Sequence, residues 1–284
     1  MKEQPVPGPT LPNFIVIGAA KSATTWINYQ LQHNPCIFMP GPEPHYFSTE
    51  FHRGPDWYED FFAAADADQV IGEKSADYLA HPEAARRIAQ RLPEARLVVQ
   101  LRNPIDRAYS DYCMFFRRGA VTPHPERYLI RSETSIPRFL EDGLYFRHLS
   151  RFLDFFPREQ ISIILYDDIK SRPDEVIGQV CDHIGAPRTP SLKVGGPVKF
   201  KEAPMLPLAL RRLLRPVKHL AEPWRQNSWF EAARSKFARP VDYPPLTDDL
   251  RRRLSEYYAY DVAELSKMLG RDMGCWLEAE PQEA

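Results

Sequence analysis

Asn13-Phe14-Ile15-Val16-Ile17-Gly18-Ala19-Ala20-Lys21-Ser22-Ala23-Thr24-Thr25-Trp26 passes from an unbroken β-rich run, through small residues, into a segment with another period. Residues 13 to 17 read as a strand, Gly18 ends it, and Ser22 to His33 carries Trp26, Tyr29 and Leu31 at helical spacing. Small residues let the backbone turn tightly before the helix, so free N–H groups there form an anion cradle. Lys21 adds a mobile positive charge, and the hydroxyls of Ser22, Thr24 and Thr25 can donate to phosphate oxygens. The chemistry is that of a phosphate site, against the plainer reading of a strand-to-helix turn with an exposed lysine. A nucleotide-kinase loop has a second Gly directly before its Lys. Here Ala20 precedes Lys21, which comes only three residues after Gly18.

Outward from this unit, further strands are expected at Cys36–Met39, Val70–Gly72, Arg96–Leu101 and Ile161–Tyr166, each short and apolar as strands covered on both faces are. Helices are expected at Trp57–Ala64, Pro82–Arg91, Pro104–Arg117, Tyr145–Phe156 and Pro173–Ile184, and a longer one from a Thr247 cap through about Met268. The alternation argues for an α/β fold, a P-loop-like three-layer sandwich with a central parallel sheet flanked by helices. A single domain is expected over residues 12–277, with 185–246 as a proline-dense lid and 1–11 and 278–284 as flexible tails.

The chain has 284 residues, 43% hydrophobic, with 37 Lys+Arg against 38 Asp+Glu for a formal charge of -1. That balance lacks the basic footprint of a nucleic-acid or anionic-membrane binder, so any anion site must be local and no nucleic-acid partner is expected. Its 28 prolines, about twice the usual frequency, predict many fixed turns. Cys36, Cys113, Cys181 and Cys275 form no C-x-x-C pair and read as separate buried thiols. Residues 1 to 12 lack the apolar core of a signal peptide and no apolar run spans a bilayer, which reads as a cytoplasmic protein without a transmembrane segment.

A second anion element follows the strand at 96–101, in Leu101-Arg102-Asn103-Pro104-Ile105-Asp106-Arg107-Ala108-Tyr109-Ser110. Arg102 falls at the carboxyl end of a central strand, where open parallel sheets place their ligands, and Ser110 follows two turns into the next helix. A guanidinium fork and a hydroxyl suit a phosphate. The plainer reading pairs Arg102 with Asp106 and leaves Ser110 on a helix surface.

Together these two elements resemble sulfotransferases that use 3′-phosphoadenosine 5′-phosphosulfate (PAPS). The first is similar to the family's 5′-phosphosulfate loop, K-x-G-T-T/S, with Ala23 in place of its Gly, and R-N-P-x-D-R-A-Y-S-x-Y is similar to its 3′-phosphate element. Phe51-His52-Arg53-Gly54-Pro55-Asp56-Trp57-Tyr58 and Gly72-Glu73-Lys74-Ser75-Ala76-Asp77-Tyr78 resemble the sulfotransferase domain of heparan sulfate N- and 3-O-sulfotransferases, and the likeness returns near Tyr243-Pro244-Pro245-Leu246. The resemblance implies a donor site of Lys21, Ser22, Ala23, Thr24, Thr25, Trp26, Arg102 and Ser110. Lys236 and Arg239 belong to a loop that partly matches the family's S-K-G-R, though its Gly is missing and Pro240-Val241-Asp242 looks inserted. Glu43, in Glu43-Pro44-His45-Tyr46-Phe47, matches the family's catalytic base, its flanking prolines restricting the backbone, with His45 as second choice. Lys74 is implied at the transferring sulfuryl or the acceptor, with Asp77 nearby. Outside the family context Glu43 is a solvated loop carboxylate, His45 a hydrogen-bonded loop histidine, and Glu73 with Lys74 a surface ion pair.

The implied activity is sulfuryl transfer from PAPS to a hydroxyl, less readily an amine, of a glycan or a small or lipid-like natural product. A sulfuryl group carries less charge than a phosphoryl group, so no metal is expected. Two alternatives stand beside it: a P-loop kinase, with Asp167-Asp168 after the strand at 161 imitating a metal-holding pair, and a non-catalytic nucleotide-binding protein. Residues 204–230 interleave leucines with Arg211, Arg212, Arg215 and Lys218, a pattern open to core packing, an acceptor mouth or a membrane surface.

Overall fold

The computed structural model describes residues 11–132, 134–192 and 240–278. Five strands, β1 (Phe14–Gly18), β2 (Ile37–Phe38), β3 (Val70–Lys74), β4 (Arg96–Leu101) and β5 (Ile161–Leu165), form one sheet in the order β2-β3-β1-β4-β5. Every pairing is parallel. β1 lies at the centre, so the chain departs from it first towards β3 and β2 and later towards β4 and β5. That reversal opens a crevice beyond the carboxyl ends of β1 and its neighbours.

All five residues of β1 are buried, because both faces of the sheet are covered. On one face Phe14 and Val16 pack with Ile27 and Leu31 of α1 (Thr24–Gln32), Val98, and Val176 and Val180 of α9 (Pro173–Ile184). On the other, Ile15 and Ile17 join Ile88 of α3 (Ala84–Arg91), Ile105 and Tyr112 of α4 (Pro104–Arg118), and Leu149 of α7 (Tyr145–Leu153). The final helix, numbered α10 here (Asp248–Leu269), adds Leu254 and Val262 to that face. Each such side chain contributes about 1.5–3 kcal/mol through burial. The short α2 (Pro55–Glu59), α5 (Glu126–Leu129) and α6 (Arg138–Glu141) complete the layers with α8 (Tyr166–Ser171). Gly72 is dictated by a close approach: the Phe14 ring occupies the place a Cβ would take.

The caps follow the sequence. Asn103 accepts from the N–H groups of Ile105 and Asp106 ahead of Pro104, and Thr247 accepts from Leu250 N–H as expected. Several boundaries differ. The first helix begins at Thr24, because Ala23 stands in the left-handed region at φ 64. Tyr166 opens a helix instead of closing β5, and the helix expected at 57–64 is α2 followed by a 3-10 turn at Asp60–Phe62. β3 extends through Lys74, two residues beyond the apolar run, because the parallel pairing with β1 continues to Val16. None of the four cysteines forms a disulfide among the described residues, and only Cys113 and Cys181 are buried. Cys36 is half-buried and Cys275 exposed.

Candidate active site

Two loops meet at the crevice. Gly18 has φ 145, and a Cβ there would stand 2.8 Å from the Ala76 carbonyl oxygen, so the turn after β3 packs directly against the end of β1. Ser75 N–H donates to Val16 O at 3.1 Å and Leu79 N–H to Ile17 O at 2.8 Å. The non-glycine residues with positive φ among those described are Lys21, Ala23 and His45, all within these loops. Such conformations cost on the order of 1–3 kcal/mol each and persist where surrounding contacts over-determine them.

The first loop is strapped to β4. Ala19 N–H donates to Gln100 O at 2.8 Å, and the buried Gln100 amide donates to Ser22 O. Lys21 Nζ crosses to Met114 Sδ on α4 at 3.5 Å. Ser22 and Thr24 are buried, Lys21, Ala23 and Trp26 half-buried, and Thr25 exposed. α1 starts with no side-chain cap and no acidic residue in its first turn, so its amino-terminal donors face the loop uncompensated.

One residue beyond β4, Arg102 lies 3.7 Å from Asp106, with its guanidinium 5.1 Å from the centre of the Tyr166 ring. Asp106 is shared: Arg251 of α10 reaches its other oxygen at 3.4 Å. Among the described residues one carboxylate lies between two guanidinium groups, and Arg102 Nε and Arg251 Nη1 are buried without hydrogen-bond partners. Ser110 is half-buried on α4. The donor set fits a further anion, and the pairing of Arg102 with Asp106 is present at the same time. The segment Tyr243–Leu246 closes over α4, where Tyr109 donates to Pro244 O at 2.9 Å. Arg251 was not anticipated, since a basic residue on an amphipathic helix gives no sign of what it meets. Lys236, Arg239 and the whole of 204–230 lie outside the described residues.

The second loop assembles the acid–base groups. Lys74 Nζ donates to Glu43 Oε1 at 2.5 Å and Ala76 N–H to Glu43 Oε2 at 3.0 Å. His45 Nδ1 lies 2.7 Å from Asp77 Oδ1, and its Nε2 is 3.9 Å from Glu43 Oε2. The hydrogen bond to Asp77 raises the His45 pKa, against the burial that lowers it. Burial works to raise Asp77, but the hydrogen bonds from His45 and Ser48 outweigh it and hold the carboxyl below its ordinary value. Glu43, His45, Lys74 and Asp77 therefore come together as expected by residue. Asp77, however, is engaged by His45 and not set apart for an acceptor.

Glu73 corrects the sequence reading. It is fully buried and does not pair with Lys74, since neighbouring strand residues point to opposite faces. Tyr58, Tyr78 and Ser75 donate to its carboxylate at 2.9, 3.0 and 2.8 Å. Ser75 Oγ accepts from His45 N–H at 2.9 Å and Tyr78 OH from Phe47 N–H at 3.2 Å, so Glu73 anchors the loop that carries Glu43. Burial pushes its pKa up to about 7, while the three hydroxyls work against that rise. The strand period held this signal.

Asp167 and Asp168 also part from the kinase reading. They lie in the first turn of α8, and Asp168 is bound by Arg271 at 2.6 Å and by Arg172 at 3.2 Å. Asp167 accepts from the Trp276 indole at 3.3 Å. They fasten the carboxyl-terminal segment and are spoken for.

A family model described as "Sulfotransferase domain" matches residues 11–195. The mouse (Mus musculus) bifunctional heparan sulfate N-deacetylase/N-sulfotransferase 3 is 29% identical over 303 residues, covering 96% of this chain and 32% of the relative. The mouse heparan sulfate glucosamine 3-O-sulfotransferase 3B1 is 30% identical over 184 residues, covering 63% of this chain and 47% of the relative. The chain thus spans a third to a half of these relatives' lengths. Among solved structures, a sulfotransferase from Alicyclobacillus acidocaldarius superposes with TM-score 0.69 at 23% identity, covering 95% of this chain and 100% of the other. Among the described residues no helix is long and apolar enough to cross a membrane.

Proposed function

For a chain that belongs to the sulfotransferase family, we propose transfer of a sulfuryl group from PAPS to a hydroxyl, less readily an amine, of a glycan or a small lipid-like molecule. The observation that carries this reading is the Glu43 carboxylate, set between Lys74 Nζ and Ala76 N–H against the end of β1, one strand from the lysine-bearing loop. When bound, PAPS supplies the sulfuryl group, its bond to the 5′-phosphate oxygen breaking as the acceptor oxygen bonds to sulfur.

The chain's own residues divide the work. Lys21 and the donors of residues 22–26 hold the 5′ end and offset negative charge where it develops; such preorganised donors are worth roughly 3–4 kcal/mol of barrier. Arg102 and Ser110 hold the 3′-phosphate, in a setting where Arg102 and Arg251 outnumber Asp106. Glu43 takes the acceptor proton, and Lys74 orients its carboxylate. Relatives named for heparan sulfate favour a glycan acceptor. A single catalytic domain over 12–277 is supported by Asn103, at the edge of the donor site, donating to Trp276 O at 2.8 Å. A cytoplasmic setting, where cysteines stay out of disulfides, is part of this reading.

The test is incubation with sulfur-labelled PAPS and a panel of glycans, phenols and lipid alcohols, beside calorimetry with adenosine 3′,5′-bisphosphate (PAP). Label transfer to one acceptor class with PAP binding is expected. A protein that does not bind PAP would overturn the reading.

A further inference from the structure

His45 stands between two carboxylates delivered by different parts of the chain. Nδ1 meets Asp77, in the turn after β3, at 2.7 Å, and Nε2 on the opposite edge faces Glu43 at 3.9 Å. The backbone is fixed for this. His45 holds φ 51, its N–H donates to Ser75 Oγ, and its carbonyl accepts from Ser48 and Glu50 N–H at 3.2 and 3.0 Å. Asp77 is equally placed, since Ser75 and Leu79 on either side of it are tied to β1. The charged groups facing the imidazole are Asp77, Glu43 and, from beneath, Glu73. Lys74 is matched to Glu43, and His81 is the further titratable group facing Asp77.

Both oxygens of Glu43 already accept, Oε1 from Lys74 Nζ and Oε2 from Ala76 N–H, so a proton arriving there competes with donors in place. An imidazole flanked by carboxylates holds the proton better.

We propose that Asp77 is a positioning residue: it keeps the Nδ1–H tautomer of His45, so that Nε2 receives the proton Glu43 takes from the acceptor. The relay rests on the reading of Glu43 as base. The acceptor O–H bond breaks and the proton joins Glu43. The Glu43 O–H bond then breaks as Nε2–H forms, while Nδ1–H stays on Asp77. The imidazolium finally gives its Nε2 proton to water, and nothing is oxidised or reduced. The 3.9 Å gap closes to hydrogen-bond length with a shift of about 1 Å.

The experiment is Asp77→Asn, with Asp77→Glu as the rescue, read by NMR titration of His45 and by the pH profile of kcat with the acceptor found in the labelling panel. In D77N the His45 titration moves to lower pH by about one unit, a tenfold loss of proton affinity. The acid limb of kcat moves with it and plateau kcat falls about tenfold, while KM and the PAP Kd stay within about twofold. D77E restores both limb and titration. A His45 titration that Asp77→Asn does not move, or a kcat that falls with the limb in place, overturns the proposal. Absence of PAP binding by the unsubstituted protein overturns the donor reading instead. Glu43→Gln with full turnover removes the relay's first step even where His45 still titrates with Asp77.

Discussion

At the end of β4 two guanidinium groups share one carboxylate; at the end of β3 each charged group has its own partner. Among the described residues Arg102 and Arg251 share Asp106, and Arg102 Nε and Arg251 Nη1 are buried without an acceptor. Lys74 is met by Glu43, and His45 by Asp77. Buried donors without an acceptor among the described residues cost free energy that the oxygens of an anion would recover. The second region has its hydrogen-bond partners in place among its own side chains. On the proposed reading binding and proton transfer are separable, although the Gly18 contact and two backbone hydrogen bonds join the end of β1 to the turn after β3.

The separation is tested hardest at Glu43. Glu43→Gln is expected to lower kcat by about 10²–10⁴ with the calorimetric PAP Kd unchanged. A parallel loss of PAP affinity would mean that the two regions act as one. Arg102→Ala should do the converse, weakening PAP by about 10–100-fold, the worth of one or two charge-assisted hydrogen bonds, while His45 titrates as before. Gly18→Ala strikes the junction. Its φ of 145 and the 2.8 Å approach to the Ala76 oxygen predict a loss of about 2 kcal/mol in urea denaturation, with PAP affinity and turnover falling together.

Glu73 sharpens the comparison through pH. Burial raises its folded pKa to about 7 from 4.5. Between those values the unfolded chain releases a proton that the folded chain keeps, so stability falls as pH rises through this window and levels off above it. Glu73→Gln should flatten that slope in denaturation curves taken from pH 4 to 8 and change little at the acid end. The smallest effect is expected at Ala23, whose methyl occupies a left-handed position. Ala23→Gly should raise stability by about 1 kcal/mol in the same assay.

The loop after β1 was largely legible in its local structure because its residues are consecutive. A strand, a Gly, a Lys and two Thr specify both a turn and a charge, and Asn103-Pro104 specifies the next helix start. The acid–base cluster was legible by residue but not by pairing. Lys74 with Glu73 is the obvious pair in sequence, yet the pleat sends Glu73 into the core with Tyr58 and Tyr78 and leaves Lys74 for Glu43, 31 positions away. Arg251 was illegible, because its partner Asp106 lies 145 residues earlier. The aspartates after β5 misled for the same reason: what they bind, Arg271 and Trp276, is more than a hundred residues distant.

Local order alone determined that this chain builds a parallel α/β sheet with a lysine-bearing turn after its first strand, for periodicity, glycine placement and caps act within a few residues. Which carboxylate meets which cation was decided only when the strands came into register, because side-chain electrostatics falls off over a few ångströms. The folded chain brings Glu43, His45, Lys74 and Asp77 within that range, and sets Arg102 and Arg251 on the one carboxylate of Asp106.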